Sequence, residues 1–388
     1  MPPSLRIALS SLLLVTVACV RQPLPLAPLA PRVSTYQPSA PQQVGPVVPA
    51  HLAPLPPRPA SVATGSTTVA VQATYERAYQ QLARMLDGRS PLSFKRAVFL
   101  TENAYFHEDL DYGEFNARVA ELVQTCRATE AETATRLLYD RPDKAQVVRQ
   151  ALLFRLLCDT TRFQSGRVLH PFRYDFTDFN GAVDWRQMFV TKLLVRHTGN
   201  CHSLPFLYKI LADELGTPTW LALAPNHIYL KQHNRQQGWY NTELTSGTFP
   251  NDAWLMASGY ISKETIVSGI YMDTLSARHN VALCLVDLAK GYERQMGPGH
   301  EPFVLRCTDL ALRYFPHYIN ALLLRAEALR REFERQPHSA SAAAPAYAAM
   351  EAAYTHIFET GYREIPPQMY AEWLQLVQQE KATYQTAH

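Results

Sequence analysis

The sequence predicts an α+β protein with helical segments at both ends and a short β segment between them. Three observations predict it. Between residues 70 and 160, apolar side chains recur at helical spacing: Phe115, Val119, Leu122 and Cys126 share one face, and Val147, Ala151, Phe154 and Cys158 share another. Between residues 219 and 245 the pattern shifts to the two-residue period of strands. From about residue 275 to the end, successive amphipathic runs return to the helical period. A chain of 388 residues accommodates one large domain or two ordinary ones, and 47% apolar and 11% aromatic content is that of a globular protein. The net charge is only +3, and no Lys/Arg run or basic helix stripe appears, so no nucleic acid is expected as a partner.

The first 18 residues are not fold. Arg6 precedes "IALSSLLLVTVA", a charge-free run of 12 residues that ends at Cys19. That run is too short to span a bilayer but has the positive start and apolar middle of an export signal. With the small Ala18 directly before Cys19, it resembles a bacterial lipoprotein signal, although Thr16 stands where a Leu is usual. The resemblance implies cleavage after residue 18, lipid on Cys19, and a place in the bacterial cell envelope. Val20 and Arg21 carry no acidic retention signal, which points to the outer membrane. Residues 20–68 hold 12 prolines, three arginines, no lysine and no acid. So little apolar surface can be buried there that a Pro-rich disordered tether over 19–68 is expected. The first acidic residue of the chain is Glu76, and that shift in composition marks the start of the folded part.

The helical lead-in is punctuated by "DG" at 87–88 and "RPD" at 141–143. Then "FRYDFTDFNGAVDW" (172–185) loses the helical period. Its Asp178 and Asn180–Gly181 read as turns in an aromatic-rich loop.

"TGNCHSLPFLYKILADELGTP" (198–218) carries the chemistry. Leu204, Leu207, Tyr208, Leu211 and Leu215 form an apolar stripe, and Gly216 with Pro218 stops it. Cys201 therefore falls at the first turn of a helix, with Pro205 early enough to be tolerated. Unpaired N–H groups and the positive end of the helix dipole face that turn, and both favour thiolate over thiol. Gly199 admits a close approach of the chain. The other internal cysteines, Cys126, Cys158, Cys284 and Cys307, lie on apolar helical faces and read as small buried hydrophobes.

"TWLALAP" (219–225) reads as an apolar strand. "HIYLKQ" (227–232) alternates, with His227, Tyr229 and Lys231 on one face. In "WYNTELT" (239–245), Trp239, Asn241, Glu243 and Thr245 share a face. A hairpin with a five-residue loop at 233–237 pairs Gln232 with Gly238 and so His227 with Glu243. Directly opposed residues have Cβ atoms about 5 Å apart. A slip of two residues keeps both side chains on one face, and a slip of one separates them. The resulting set is a thiol, an imidazole and a carboxylate. His227 can take the thiol proton, Glu243 can orient the ring, and Cys201 can attack an acyl carbon. The Cys201 N–H is one candidate oxyanion donor, and Asn200 and Gln187 are candidates for the second.

Cysteine-bearing helix, apolar strand, histidine strand and acid-bearing strand, in that order, resemble the transglutaminase-like core of the papain-type superfamily, closest to its short bacterial SirB-like branch. "GNCHSLPFLYKILADELG", "APNHIYL" and "WYNTELTSG" carry the resemblance, over roughly residues 185–250. It implies a central helix packed on a small antiparallel sheet, with Cys201 as nucleophile, His227 as base and Glu243 as acid. Asp is usual at the third position, and the Glu found here leaves Asn241 as a second candidate for the orienting group. The superfamily includes peptidases, amidases, acyl transferases and inactive domains.

His197, His202 and His233 read as structural or solvated. No paired ligand spacing supports a metal, and no cofactor is implied. The runs at 280–292, 303–316 and 318–334 and those after the low-complexity 339–349 resemble tetratricopeptide-type helical hairpins. The expected division is a signal peptide over 1–18, the tether over 19–68, helical lead-in plus core over 69–274, and the helical region over 275–388. Two functions stand. One is an envelope-anchored cysteine-dependent hydrolase or acyl transferase acting on a peptide or protein amide. The alternative is a catalytically silent scaffold whose C-terminal helices bind a protein partner.

Overall fold

Helix formation starts earlier than composition suggests. In the computed structural model, which describes residues 65–162, 168–176, 178–336, 340–365 and 375, helix α1 spans Gly65–Leu86. Its first residues belong to the expected tether. No proline follows Pro59 until Pro91, so from there on the chain can make helical hydrogen bonds. The signal segment, Cys19 and the rest of the tether lie outside the described residues.

The lead-in continues with α2 (Phe94–Tyr105), α3 (Tyr112–Arg136) and α4 (Lys144–Cys158). Ser93 caps α2 by accepting from Arg96 N, and Asp111 caps α3 by accepting from Glu114 N. Two short strands, β1 (Thr161–Arg162) and β2 (Val168–Leu169), pair antiparallel. The aromatic stretch is not all loop. Its β3 (Arg173–Tyr174) runs parallel to β4 (Thr198–Gly199), with a 3₁₀ turn at Trp185–Met188 and α5 (Val190–Arg196) in between. Strands of two residues are too short to impose a period on the sequence. The expected turn is present: Asp178 accepts from Val183 N and Asp184 N, and Gly181 takes φ +62°.

The centre is α6 (Ser203–Glu214) against a three-stranded antiparallel sheet of β5 (Trp220–Ala224), β6 (His227–Asn234) and β7 (Gly238–Thr242), in that spatial order. α6 is buried all round, not on one stripe alone: Leu204, Phe206, Leu207, Tyr208, Ile210 and Leu211 are each at most 1% exposed. Each such side chain contributes roughly 1.5–3 kcal/mol when removed from water. The Tyr208 hydroxyl donates to Gln150 O on α4 and accepts from Gln232 on β6, so the helix is pinned from both sides. Gly216, at φ +63°, ends it. The outer edge of β5 is covered, because Met272 N donates to Leu223 O and Leu275 N to Leu221 O.

The β6–β7 register differs from the expected one by two residues. Asn234 pairs with Gly238 across a three-residue loop, because Asn234 closes the turn itself by accepting from Gln236 N and Gln237 N. The shift is even, so His227 and Glu243 stay on one face.

After α7 (Asp252–Gly259) and α8 (Lys263–Val267), four helices follow: α9 (Ala277–Met296), α10 (Glu301–Tyr314), α11 (Ile319–Glu334) and α12 (Ala340–Glu359), each packed on the next. The helices α9 and α11 begin at 277 and 319, and α10 and α12 at 301 and 340. This spacing is uneven and longer than the roughly 34 residues of a tetratricopeptide repeat. Nor is the expected boundary at 274/275 a packing boundary. α9 packs on α1 and α2: Tyr75 meets Tyr292 edge-on at 5.1 Å, and Thr101 donates to Cys284 O. One apolar core runs from Tyr75 to Ile357.

Five cysteines are described and all are free thiols. Cys126, Cys284 and Cys307 are buried as expected, whereas Cys158, at the end of α4, is half-buried. Among the described residues, no helix is long and apolar enough to cross a membrane.

Candidate active site

The turn before α6 is built around two small or polar residues. A Cβ on Gly199 would stand 2.6 Å from Ser203 Oγ and 2.8 Å from Leu193 Cδ1, so only glycine lets the chain pass there. Asn200, fully buried, caps the helix: its Oδ1 accepts from His202 N and Ser203 N at 3.0 Å each. Its Nδ2 donates to Phe179 O at 2.9 Å. Both ends of the Asn200 amide are therefore committed to structure, and it does not serve as the second oxyanion donor. Cys201 stands between, half-buried, and no acceptor among the described residues takes its N–H.

The histidine arrives from a two-residue turn. Pro225–Asn226 joins β5 to β6, with Ala224 paired to His227. Asn226 adopts φ +54°, a conformation Asn tolerates better than most residues. This places the Asn226 carbonyl oxygen 3.8 Å from Cys201 Sγ. The His227 ring hydrogen-bonds Glu243, with Nε2 on Glu243 Oε2, and Cys201 is the other neighbour that acts on its charge. Nδ1 is thus the nitrogen left for the sulfur.

Glu243 is locked in turn. Its Oε1 accepts from Thr245 N at 2.8 Å and Thr245 Oγ1 at 2.7 Å, and its backbone bridges Thr248. The side chain is 7% exposed, against 27% for His227. Burial alone would make His227 neutral, but the Glu243 carboxylate and the Cys201 sulfur outweigh it and hold the ring well above its usual range. Burial would likewise raise Glu243, but the His227 charge holds it below the usual carboxylate range. Both neighbours favour the charged form of the ring.

The remaining candidates lie elsewhere. Asn241, on β7, donates to Pro250 O at 3.0 Å and Asp252 Oδ1 at 2.7 Å, so it orients the start of α7 and not His227. Gln187 faces a cleft of about 570 Å³ that none of Cys201, His227 and Glu243 lines. Thr198 and Asp175 line that cleft, whereas Gly199 and Tyr174, the adjacent strand residues, do not. Successive strand residues point to opposite faces, so the cleft lies across the β3–β4 ladder from the sulfur.

Sequence reasoning missed two residues. Tyr174 pairs with Gly199 across the ladder. Its phenol is raised by burial and then by the charges of Cys201, Glu243 and Asp175. His202 is structural, as expected, but its partner was not foreseen: it is buried against Asp287. Neither carries a local signal, since each is defined by a partner far along the chain. His197 ends α5 at φ +54° and stacks on Phe172, and the His233 ring lies 5.3 Å from the Trp239 ring. The three histidines 202, 227 and 233 do not converge, and no metal-binding cluster occurs among the described residues.

No model of a known family matches the chain, and no curated protein matches it. Among solved structures it is similar to menin, described as revealing that protein's binding site for the Mixed Lineage Leukemia protein. The identity is 14%, over 78% of this chain and 73% of that one, with a TM-score of 0.34. A likeness that faint carries no functional argument.

Proposed function

We propose that the protein is a cysteine-dependent hydrolase or acyl transferase acting on an amide or peptide, held at the bacterial cell envelope by lipid on Cys19. One observation carries the reading: the His227 ring engages the Glu243 carboxylate through Nε2 and leaves Nδ1 for the neighbouring Cys201 sulfur. In the reaction, the sulfur adds to the acyl carbon and the carbonyl electron pair moves to oxygen, where the Cys201 N–H can meet it. As the C–N bond breaks, the His227 proton passes to the leaving amine and a thioester remains. His227 then takes a proton from water, or from an amine acceptor, as that group attacks the thioester. Glu243 keeps its charge throughout and holds the ring.

The scaffold reading is favoured by one specific observation. Asn200 commits its amide to Phe179 and Gln187 lines a cleft that Cys201 does not, so neither candidate supplies the second oxyanion donor. Intact-mass analysis after exposure to an activated acyl ester separates the two. A thioester adduct that forms on the wild type and is absent from Cys201→Ala and His227→Ala supports the enzyme. A sulfur that stays unacylated in a folded protein leaves the scaffold.

A further inference from the structure

His202 follows Cys201 directly but turns the other way, into the core. Its ring lies against Phe206, with centroids 4.1 Å apart. Nδ1 stands 3.0 Å from the carbonyl oxygen of Met188, and Nε2 stands 2.9 Å from Asp287 Oδ2. The two side chains are 13% and 14% exposed. A backbone carbonyl and a carboxylate can only accept. A neutral imidazole has one N–H and one lone pair, so it could satisfy one partner and would press its lone pair on the other. Both contacts are hydrogen bonds only when both ring nitrogens carry protons.

The surroundings suit a cation. From α2, Glu102 accepts from Val190 N at 2.7 Å and Thr191 N at 2.8 Å, holding the segment next to Met188. From α9 comes Asp287, whose charge is also felt by Cys284 and Lys290 on that helix and by Tyr318 ahead of α11. α6 adds only the apolar Phe206. Burial pushes Glu102 up to about 7 against its hydrogen bonds and the His202 charge. Burial also pulls His202 toward the neutral form, but Asp287 more than compensates and lifts it above its usual range. The ring is therefore charged below about 6.5 and stays so until the pH rises through its higher folded value.

This gives the turn two neighbouring anchors. Asn200 ties it to Phe179 and His202 ties it to Met188 and α9, which leaves Cys201 as the residue between them with its side chain free to face His227. We infer that His202 is a positioning residue held as an imidazolium, which clasps the Cys201 turn to helix α9 and so sets where the sulfur stands relative to His227. The clasp couples the C-terminal helices to the site, since Asp287 of α9 holds the residue that follows Cys201. It concerns the geometry of the thiol and holds whether or not the thiol turns over a substrate.

The test uses the full chain labelled with ¹⁵N-histidine, with His202→Gln to assign the ring. At neutral pH both His202 nitrogens are expected at the protonated position. Asp287→Asn should move one to the unprotonated position and slow iodoacetamide labelling of Cys201 by at least about tenfold, as expected for a displaced reacting atom. Asp287→Glu, which restores the carboxylate, should recover both. Continued shielding of Cys126, Cys284 and Cys307 reports that the variants are folded. A neutral His202 ring in the wild type overturns the inference, and that measurement needs no variant. So does an Asp287→Asn protein whose ring is neutral while Cys201 labels at the wild-type rate. A wild-type Cys201 that labels no faster than the buried thiols counts against the proposed enzyme, and the ring measurement still stands.

Discussion

Glu243 binds the His227 ring from one residue beyond the end of β7, diagonally across the hairpin and not from the directly opposed position. The two-residue shift in register sets Thr242 opposite Leu230, so a continued ladder would oppose Glu243 to Tyr229. The longer Glu side chain spans the diagonal, a reach that Asp would lack.

Glu243→Asp should therefore lose the contact with His227 while keeping its charge. Cys201 alkylation is expected to fall, and Glu243→Gln should fall at least as far, within the range of 10²–10⁴ typical of a disrupted acid–base partner. Alkylation of Glu243→Asp at the wild-type rate would show that the diagonal reach does not matter.

Thiol labelling should be strongly selective. Burial pushes Cys126 up to about 12 and raises Cys284 and Cys307 well above the ordinary thiol range. Cys201 is half-buried and neighbours the His227 ring, whose charged form Glu243 favours. Peptide mapping after a short iodoacetamide pulse should find Cys201 modified first, with the modification reduced in His227→Ala. Equal modification of all thiols would argue against a reactive site.

The His227–Glu243 pair should stabilise the fold within a defined pH window. The folded value of Glu243 is lowered from 4.5, so its contribution is present above about 4.5 and is lost as pH falls through the folded value. That of His227 is raised from 6.5, so its contribution is present below about 6.5 and is lost as pH rises through the folded value. The stability difference between wild type and Glu243→Gln should be largest between those limits and should shrink on either side, as followed by urea denaturation across pH. A difference that is flat with pH would remove the ion pair from the account.

Gly199→Ala should destabilise the turn by about 1–3 kcal/mol, the usual cost of overpacking, because the new Cβ would stand 2.6 Å from Ser203 Oγ. Asn200→Ala should cost about 1 kcal/mol for the lost cap and more for the stranded Phe179 carbonyl. Thermal melts of both variants check these values, and a neutral Gly199→Ala would mean that Leu193 and Ser203 yield easily.

Membrane partition tests the anchor. The full precursor should fractionate with membranes, and Cys19→Ala should not. Retention of the variant in membranes would reject lipid on Cys19 as the attachment.

Local chemistry was legible without coordinates. The period of α6, the glycine before Cys201 and the alternation of β6 and β7 all depend on neighbours within a few residues. Those neighbours suffice to keep His227 and Glu243 on one face of the sheet, and the packing of α6 on that sheet brings Cys201 to them. The sequence alone could not say that Asn200 and Asn241 spend their amides on structure, because their partners Phe179 and Asp252 are set by how loops pack. Nor could it show that α9 shares a core with α1 and α2, or that His202 meets Asp287 across 85 residues of chain. Periodicity records which side of an element is buried, and only tertiary packing decides what is buried against it.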